Sequence, residues 1–571
     1  MTVNIINQLG ELNPQLFREL KGRLIPRNIL ISVAAALLGQ LLLLMSFSSK
    51  LPVLDENNAN SLANPFCTGS RKEYSSPLCI SDNLGGFFIN WELWWERVFL
   101  WMSLIGIFSL LVVGTYMLIA DLSKEEGKGT LNFLRLTPSS SMNILGGKLL
   151  GVPILLYLGI ALAIPLHLTA AFSADIPAIH IVGFYGVIVA SCLFFYSAAL
   201  LFGLVGNWLG TFQAWLGAGT VLMFLFIMTN AINYSQSLNA PFDWLSLFHP
   251  AILLPYLIGG HFLDNPAYNY DGGENGFLNL LWFYLPVGSK GLSISALAIA
   301  NCGLWSYLMW EGLKRYFHNP HATLLSKRQS YLLTACFNFI LLGFAMNPKV
   351  EEWKSYPKGV FENWQILMVF NLILFLGLIA ALSPHRQAMQ DWARYRHQKL
   401  SVRKGGIVAE LIWGKTSPAV LAVVMNSAIA SLIILPWILL WPDNQYKEPA
   451  LWGLILNMSI IVLYASIVQL MLFMKTPKRA IWAAGTVMGL IILPPIVFAF
   501  LSLSSDSSAW LVSGFPWATI ENAATSSVLM AIVAESLGLV LLNVQLNRQL
   551  RRAGESATKA LLYGRSSMAI Q

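Results

Sequence analysis

Charge is scarce in this sequence. Only 11% of the 571 residues are Asp, Glu, Lys or Arg, against about a quarter in an average soluble protein. Hydrophobic residues make up 56%, and the mean hydropathy is +0.61. A soluble globular protein is therefore excluded. Polar–apolar alternation along the apolar runs is missing too, which excludes a membrane β-barrel. Cysteines number five, and no Cys/His spacing resembles a zinc site, so no metal is expected. His167, His180 and His249 are isolated and read as structural. A phosphate loop is also lacking. Its nearest match, Ala409 to Thr416 (AELIWGKT), has Ala in place of the first Gly and Glu410, Leu411, Ile412 and Trp413 at the variable positions. That pattern needs flexible glycines between a strand and a helix, so it reads as accidental. The chain is expected to bind no ATP or other cofactor and to hold no catalytic residue. Glu535 is the one carboxylate well inside an apolar run. A proton or sodium relay needs more such groups.

Long apolar runs are what the chain has in abundance. Many reach the ~20 residues that cross a hydrocarbon core. Backbone groups in lipid must be satisfied within their own segment, so these runs predict helices. The expectation is an all-α polytopic membrane protein of about twelve spans. They are Ile29 to Phe47, Val98 to Ala120, Leu149 to Ala171, His180 to Gly206, Thr211 to Ala231, Leu292 to Trp310, Tyr331 to Met346, Trp364 to Leu382, Ala419 to Leu440, Leu451 to Phe473, Ile481 to Leu503 and Ser526 to Asn543. Two broken apolar pieces, Trp244 to Leu257 and Trp510 to Ile520, contain Pro250, Pro255 and Pro516. They read as non-spanning, as does Phe277 to Pro286. The first apolar run lies behind 28 mostly polar residues and is followed by further spans, unlike a cleavable signal. Asn13 to Leu24 reads as an interfacial amphipathic helix, with Leu16, Phe17, Leu20 and Leu24 as its apolar side.

Twelve spans with a cytoplasmic N-terminus put 27 of the 36 Lys and Arg on the cytoplasmic segments. The positive-inside rule therefore predicts cytoplasmic termini in an inner or plasma membrane. The formal charge of +8 reflects this bias, and no nucleic-acid partner is expected. Span order repeats, with two spans, a charged cytoplasmic segment and four more spans. A degenerate 6+6 repeat follows, with halves at 1–317 and 318–571.

One stretch organises the chain. Asp121 to Leu150 reads DLSKEEGKGTLNFLRLTPSSSMNILGGKLL, a polar element between two spans. Gly127 and Gly129 permit a sharp turn. Leu131, Phe133, Leu134 and Leu136 give a short helix an apolar side. Pro138 ends that helix, and Ser139 to Ser141 can cap the next. The pattern alone leaves two readings, a solvated loop or a helix that docks a soluble partner.

Glu126, Gly129, Thr130, Leu131, Leu134, Thr137, Pro138, Gly147 and Lys148 resemble the signature of ABC-2 type transporter permeases. That resemblance implies a coupling helix, with Glu125, Glu126, Gly129, Thr130, Leu131, Leu134, Thr137 and Pro138 docking on an ABC ATP-binding subunit. It implies ATP and Mg on that subunit and a permease embedded in lipid. Two copies, or the two halves of one chain, would complete the transporter, and export is the commoner direction. The second half departs from the pattern, because ELIWGKTSPAV lacks the Gly-Thr-Leu turn. An ion-coupled secondary carrier and a membrane scaffold without transport are the alternatives. Cys67 and Cys79 share the first outer loop, where an oxidising compartment favours a disulfide.

Overall fold

The computed structural model describes residues 10–11, 13–53, 63–70, 76–81, 86–234, 239–258, 279–348, 356–399, 407–414, 417–441, 444–504 and 506–554. The long apolar runs fold as helices. In the first part of the chain these are α1 (Pro14–Arg23), α2 (Pro26–Ser48), α3 (Trp91–Phe108), α4 (Gly114–Gly127), α5 (Thr130–Leu136), α6 (Ser141–Gly151), α7 (Ile154–Ser173), α8 (Ala178–Val205), α9 (Phe212–Tyr234), α10 (Asp243–Ser246), α11 (Leu254–Ile258) and α12 (Gly291–His318). The remainder are α13 (Lys327–Ala345), α14 (Tyr356–Leu382), α15 (Arg386–Lys399), α16 (Ile407–Trp413), α17 (Val420–Leu439), α18 (Asn444–Met471), α19 (Arg479–Phe500) and α20 (Thr525–Gly554). A π-helical turn, Ser109–Val113, joins α3 to α4 without a break. Among the described residues, strand pairing consists of isolated bridges, three of them between residues 63 and 89.

Eleven segments are long and apolar enough to cross a membrane: α2, the continuous rod Trp91–Gly127, α7, α8, α9, α12, α14, α17, α18, α19 and α20. The chain is an all-α polytopic integral membrane protein. The count among the described residues is one short of the expected twelve. The expected span at Tyr331 to Met346 is helical, within α13, but α13 is not among the eleven. Its first turn is Lys327, Arg328, Gln329 and Ser330, and it also carries Thr334 and Asn338, all of which dilute its apolar run.

The chain divides into two units. The first comprises Met1–Leu238, Phe242–Leu281 and Leu285–His318, and the second Asn239–Pro241, Trp282–Tyr284 and Asn319–Gln571. Six of the eleven segments fall in the first unit and five in the second.

The two proline-broken pieces are short helical turns. The first is α10, a 3-10 turn at Pro250–Leu253, and α11. His249, fully buried beside it, accepts from the Ala251 amide at Nδ1 (2.9 Å) and pairs with the Thr229 hydroxyl through Nε2 (3.1 Å). The second piece holds 3-10 turns at Ser508–Val512 and Pro516–Ala518. Phe277 lies outside the described residues, and 280–286 form no helix.

Cys67 and Cys79 are joined in a disulfide twelve residues apart, and both are buried within their loop. Closing so short a loop contributes about 2–3 kcal/mol in the chain-entropy model. Cys67→Ser is expected to speed proteolytic cleavage between residues 63 and 81 while leaving the helical circular dichroism unchanged. Cleavage at the wild-type rate would show that the bridge adds nothing to the order of the loop.

Candidate functional site

The polar stretch is built on the end of the rod. Helix α4 does not stop with the apolar run but continues through Asp121, Lys124, Glu125 and Glu126 to Gly127. The expected loop thus begins as further helical turns of the span itself. Gly129 then takes φ +70°, a left-handed conformation that costs little only without a Cβ. Open space surrounds its Cα, so the requirement there is conformational rather than steric. Helix α5 follows at once. Its ends are tied by hydroxyls: Thr130 Oγ1 donates to the Glu125 carbonyl (3.1 Å) and Thr137 Oγ1 to the Leu134 carbonyl (2.7 Å). Pro138 forbids helical angles at Thr137, which sits at φ −71°, ψ 152°. Ser140 caps α6 by accepting from the Asn143 amide at 3.2 Å.

The apolar residues of α5 do not share one side, and this corrects the expectation. Leu131 and Leu134 are 1% and 7% exposed and pack inward with Leu118, Leu122, Ile144, Leu145 and Phe317. Phe133 and Leu136 are 71% and 85% exposed. The reason is helical geometry: residues three apart share a side, while a step of two turns the chain by about 200°. Leu131 pairs with Leu134, and Phe133 with Leu136. Arg135 completes the mounting, with Glu126 at 3.7 Å, Asn132 Oδ1 at 2.9 Å and the Phe317 ring 6.0 Å below its guanidinium.

Behind α5 lies a cluster of six charges that the sequence did not foretell. Lys148, on α6, is 0% exposed. Its ammonium lies 2.6 Å from Asp121, 2.8 Å from Glu125 and 3.6 Å from Glu19. Arg23 reaches Asp121 at 2.7 Å and Glu19 at 3.1 Å, and Arg18 reaches Glu125 at 2.5 Å. Three cations meet three carboxylates, so the cluster is neutral as a whole. A buried ion survives only when paired in this way. The three carboxylates stand close enough together to hold a metal ion, but the Lys148 ammonium already occupies the place between them.

The cluster fastens α1 across α4 and α6. Helix α1 buries Gln15 and Glu19, its polar side, and leaves Leu16, Phe17 and Leu20 only partly covered. Asn13 caps α1 by accepting from the Leu16 amide (3.0 Å), and it donates to the Asn143 carbonyl (2.8 Å). Close approach is possible because α6 presents Gly147 and Gly151. A Cβ on Gly151 would stand 2.5 Å from the Glu19 Cβ, and one on Gly147 would stand 2.8 Å from the Leu16 nitrogen. Arg18, Glu19 and Arg23 read in the sequence as ordinary charges of an interfacial helix. Beyond the local pairs of Glu19 with Arg18 and Arg23, each reaches a partner 98 or more residues away, outside any local spacing rule.

The other candidates stand apart from this site. Glu535, on α20, is buried and accepts from the Ser459 hydroxyl of α18. The residues Glu410 to Trp413 are helical in α16, so they form no phosphate-cradling loop; Lys415 and Thr416 lie outside the described residues. Lys327 is buried beside α16, donating to the Leu411 and Pro418 carbonyls and to the Ser417 hydroxyl. No protein-family model, no curated protein and no solved structure matches this chain.

Proposed function

We propose that this chain is the membrane-spanning subunit of an ATP-driven transporter of the ABC-2 type, energised by a separate ATP-binding subunit. One observation carries the reading: two large apolar side chains, Phe133 and Leu136, stand almost fully exposed on a short helix that is firmly mounted from behind. An apolar helix side left open in this way suits a groove on a soluble partner. The docking surface is then Phe133 and Leu136, rimmed by the exposed Lys128, Thr130, Asn132 and Met142. Leu131 and Leu134 hold the helix in place.

On this reading the Lys and Arg distribution puts α5 and both termini in the cytoplasm of an inner or plasma membrane. ATP closes the partner subunits and displaces α5. The Gly129 turn passes that displacement to the rod Trp91–Gly127. The charge cluster makes α1 and α6 move with it, so the polar end shifts as one body against the remaining spans. The division into two units near His318 supports two halves of one chain standing for two permease copies, a reading in which α13 would be the twelfth crossing. Glu535, held by Ser459, gives an ion-coupled carrier less support. Export is the direction proposed, with ATP and Mg on the partner.

The double variant Phe133→Asp, Leu136→Asp tests the reading. Both residues are exposed, so the protein should be produced and folded as the wild type. An ATP-hydrolysing subunit that co-purifies with the wild type from native membranes should be retained about thirtyfold less, the loss of two central interface contacts. Equal retention by variant and wild type would sink the docking role of α5.

A further inference from the structure

A slot of about 470 Å³ runs through the first unit between α3, α7 and α8. This is within the size range of small-molecule sites. Helix α7 lines it with Tyr157, Ile160, Ile164 and His167, a stripe of one helix side about 15 Å long at 1.5 Å per residue. The slot is therefore long and narrow. No Asp, Glu, Lys or Arg lines it.

Its polar groups form a chain whose proton order can be read. The Ser103 hydroxyl donates to the Phe99 carbonyl at 2.8 Å. With that hydrogen committed, its oxygen, 2.8 Å from His167 Nε2, accepts, and we infer that Nε2 carries the ring hydrogen. A buried imidazole with no acid beside it is neutral, because burying an unpaired charge is costly, and a neutral ring has one N–H only. His167 Nδ1 therefore accepts from the Tyr185 hydroxyl at 2.8 Å. Tyr185 has spent its single hydrogen, and its oxygen can now only accept. The other end is spent in the same way. Tyr196 donates to the Leu110 carbonyl in the π-helical turn (2.8 Å), and Tyr157 to the Leu149 carbonyl (3.0 Å). The slot offers hydrogen-bond acceptors in an apolar lining, and its hydroxyl and imidazole donors are committed to the protein.

We propose that this slot binds an uncharged lipid with a free hydroxyl, its apolar body along α7 and its O–H donated to Tyr185. A charged headgroup would meet no counter-ion there, and a group that only accepts would face acceptors. The rim includes Leu150, Val189 and Leu193, all exposed on the outer surface of the helices. In a bilayer these face lipid, so the ligand enters sideways from the membrane. The proposal does not depend on an ATPase partner, and the purified full chain suffices to test it.

The probes are a diazirine-bearing long-chain alcohol and its methyl ether, identical but for the donated hydrogen. Each is photo-crosslinked to the chain in nanodiscs and mapped by peptide mass spectrometry. The alcohol should label α7 and α8 about tenfold more than the ether, the effect of one hydrogen bond. His167→Phe places a ring among Phe99 and Phe184, which already pack on the imidazole. It also frees the Tyr185 hydrogen to donate, so the ether should then label as well as the alcohol or better. Equal labelling by both probes in the wild type would overturn the proposal, since the slot would then hold any hydrocarbon chain. An alcohol preference that survives His167→Phe would overturn the assigned role of Tyr185.

Discussion

Lys148→Met is expected to loosen the polar end of the first unit by about 3 kcal/mol, the low end of the range for breaking a buried ion pair. Methionine nearly matches the length of the lysine stem, so the loss is of charge rather than volume. The ammonium is fully buried, and three carboxylates surround it. Without it, Glu19, Asp121 and Glu125 face one another with only Arg18 and Arg23 to balance them. The low end of the range applies because the Arg18 side chain is 48% exposed and its pairs are screened by solvent. Thermal unfolding of the purified chain, read together with proteolytic release of residues 10–25, measures the effect. Helix α1 should detach first, since its buried side consists of Gln15 and Glu19. A variant that melts like the wild type and keeps α1 protected would show that the cluster contributes nothing net. Raised salt should weaken the Arg18–Glu125 pair more than those of Lys148, because screening acts on exposed charges.

Leu131→Asp carries the second large effect. The resemblance put Leu131 among the docking residues, where such a change would spare the spans and weaken docking. The structure reverses that expectation. Leu131 is buried in one apolar cluster with Leu118 of α4, Leu145 of α6 and Phe317 of α12. Leu131→Ala alone should cost about 2–5 kcal/mol. An aspartate adds the penalty of an unpaired buried charge. Leu131→Asp should therefore yield little monodisperse protein, while Phe133→Asp, two residues on, should yield as much as the wild type. Size-exclusion profiles of the two variants, expressed side by side, decide the matter. If Leu131→Asp purifies like Phe133→Asp, the inward packing of α5 is wrong.

Local chemistry determined a good part of this protein. Apolar run length set the helical class and placed most spans, because lipid leaves the backbone no other solution. Gly129 and Pro138 bounded α5, and Ser140 opened α6, because turns and caps are decided by neighbours a few residues apart. Placement of Cys67 and Cys79 in one short loop brought them within bonding reach. Tertiary packing decided the rest. Four of the seven residues of α5 are large and apolar, so its own periodicity could not say which pair faces inward; the packing of α4, α6 and α12 did. In α1 the sequence pattern marked the leucine side, but only packing shows that Gln15 and Glu19 face the protein, where Gly147 and Gly151 bring that helix within reach of Lys148. The pairs Arg23–Asp121 and Arg18–Glu125 span 98 and 107 residues. The hydrogen-bond order from Tyr185 to Ser103 likewise joins three separate helices. Such juxtapositions depend on which helices approach and at what rotation, and spacing along a single helix carries no information about either.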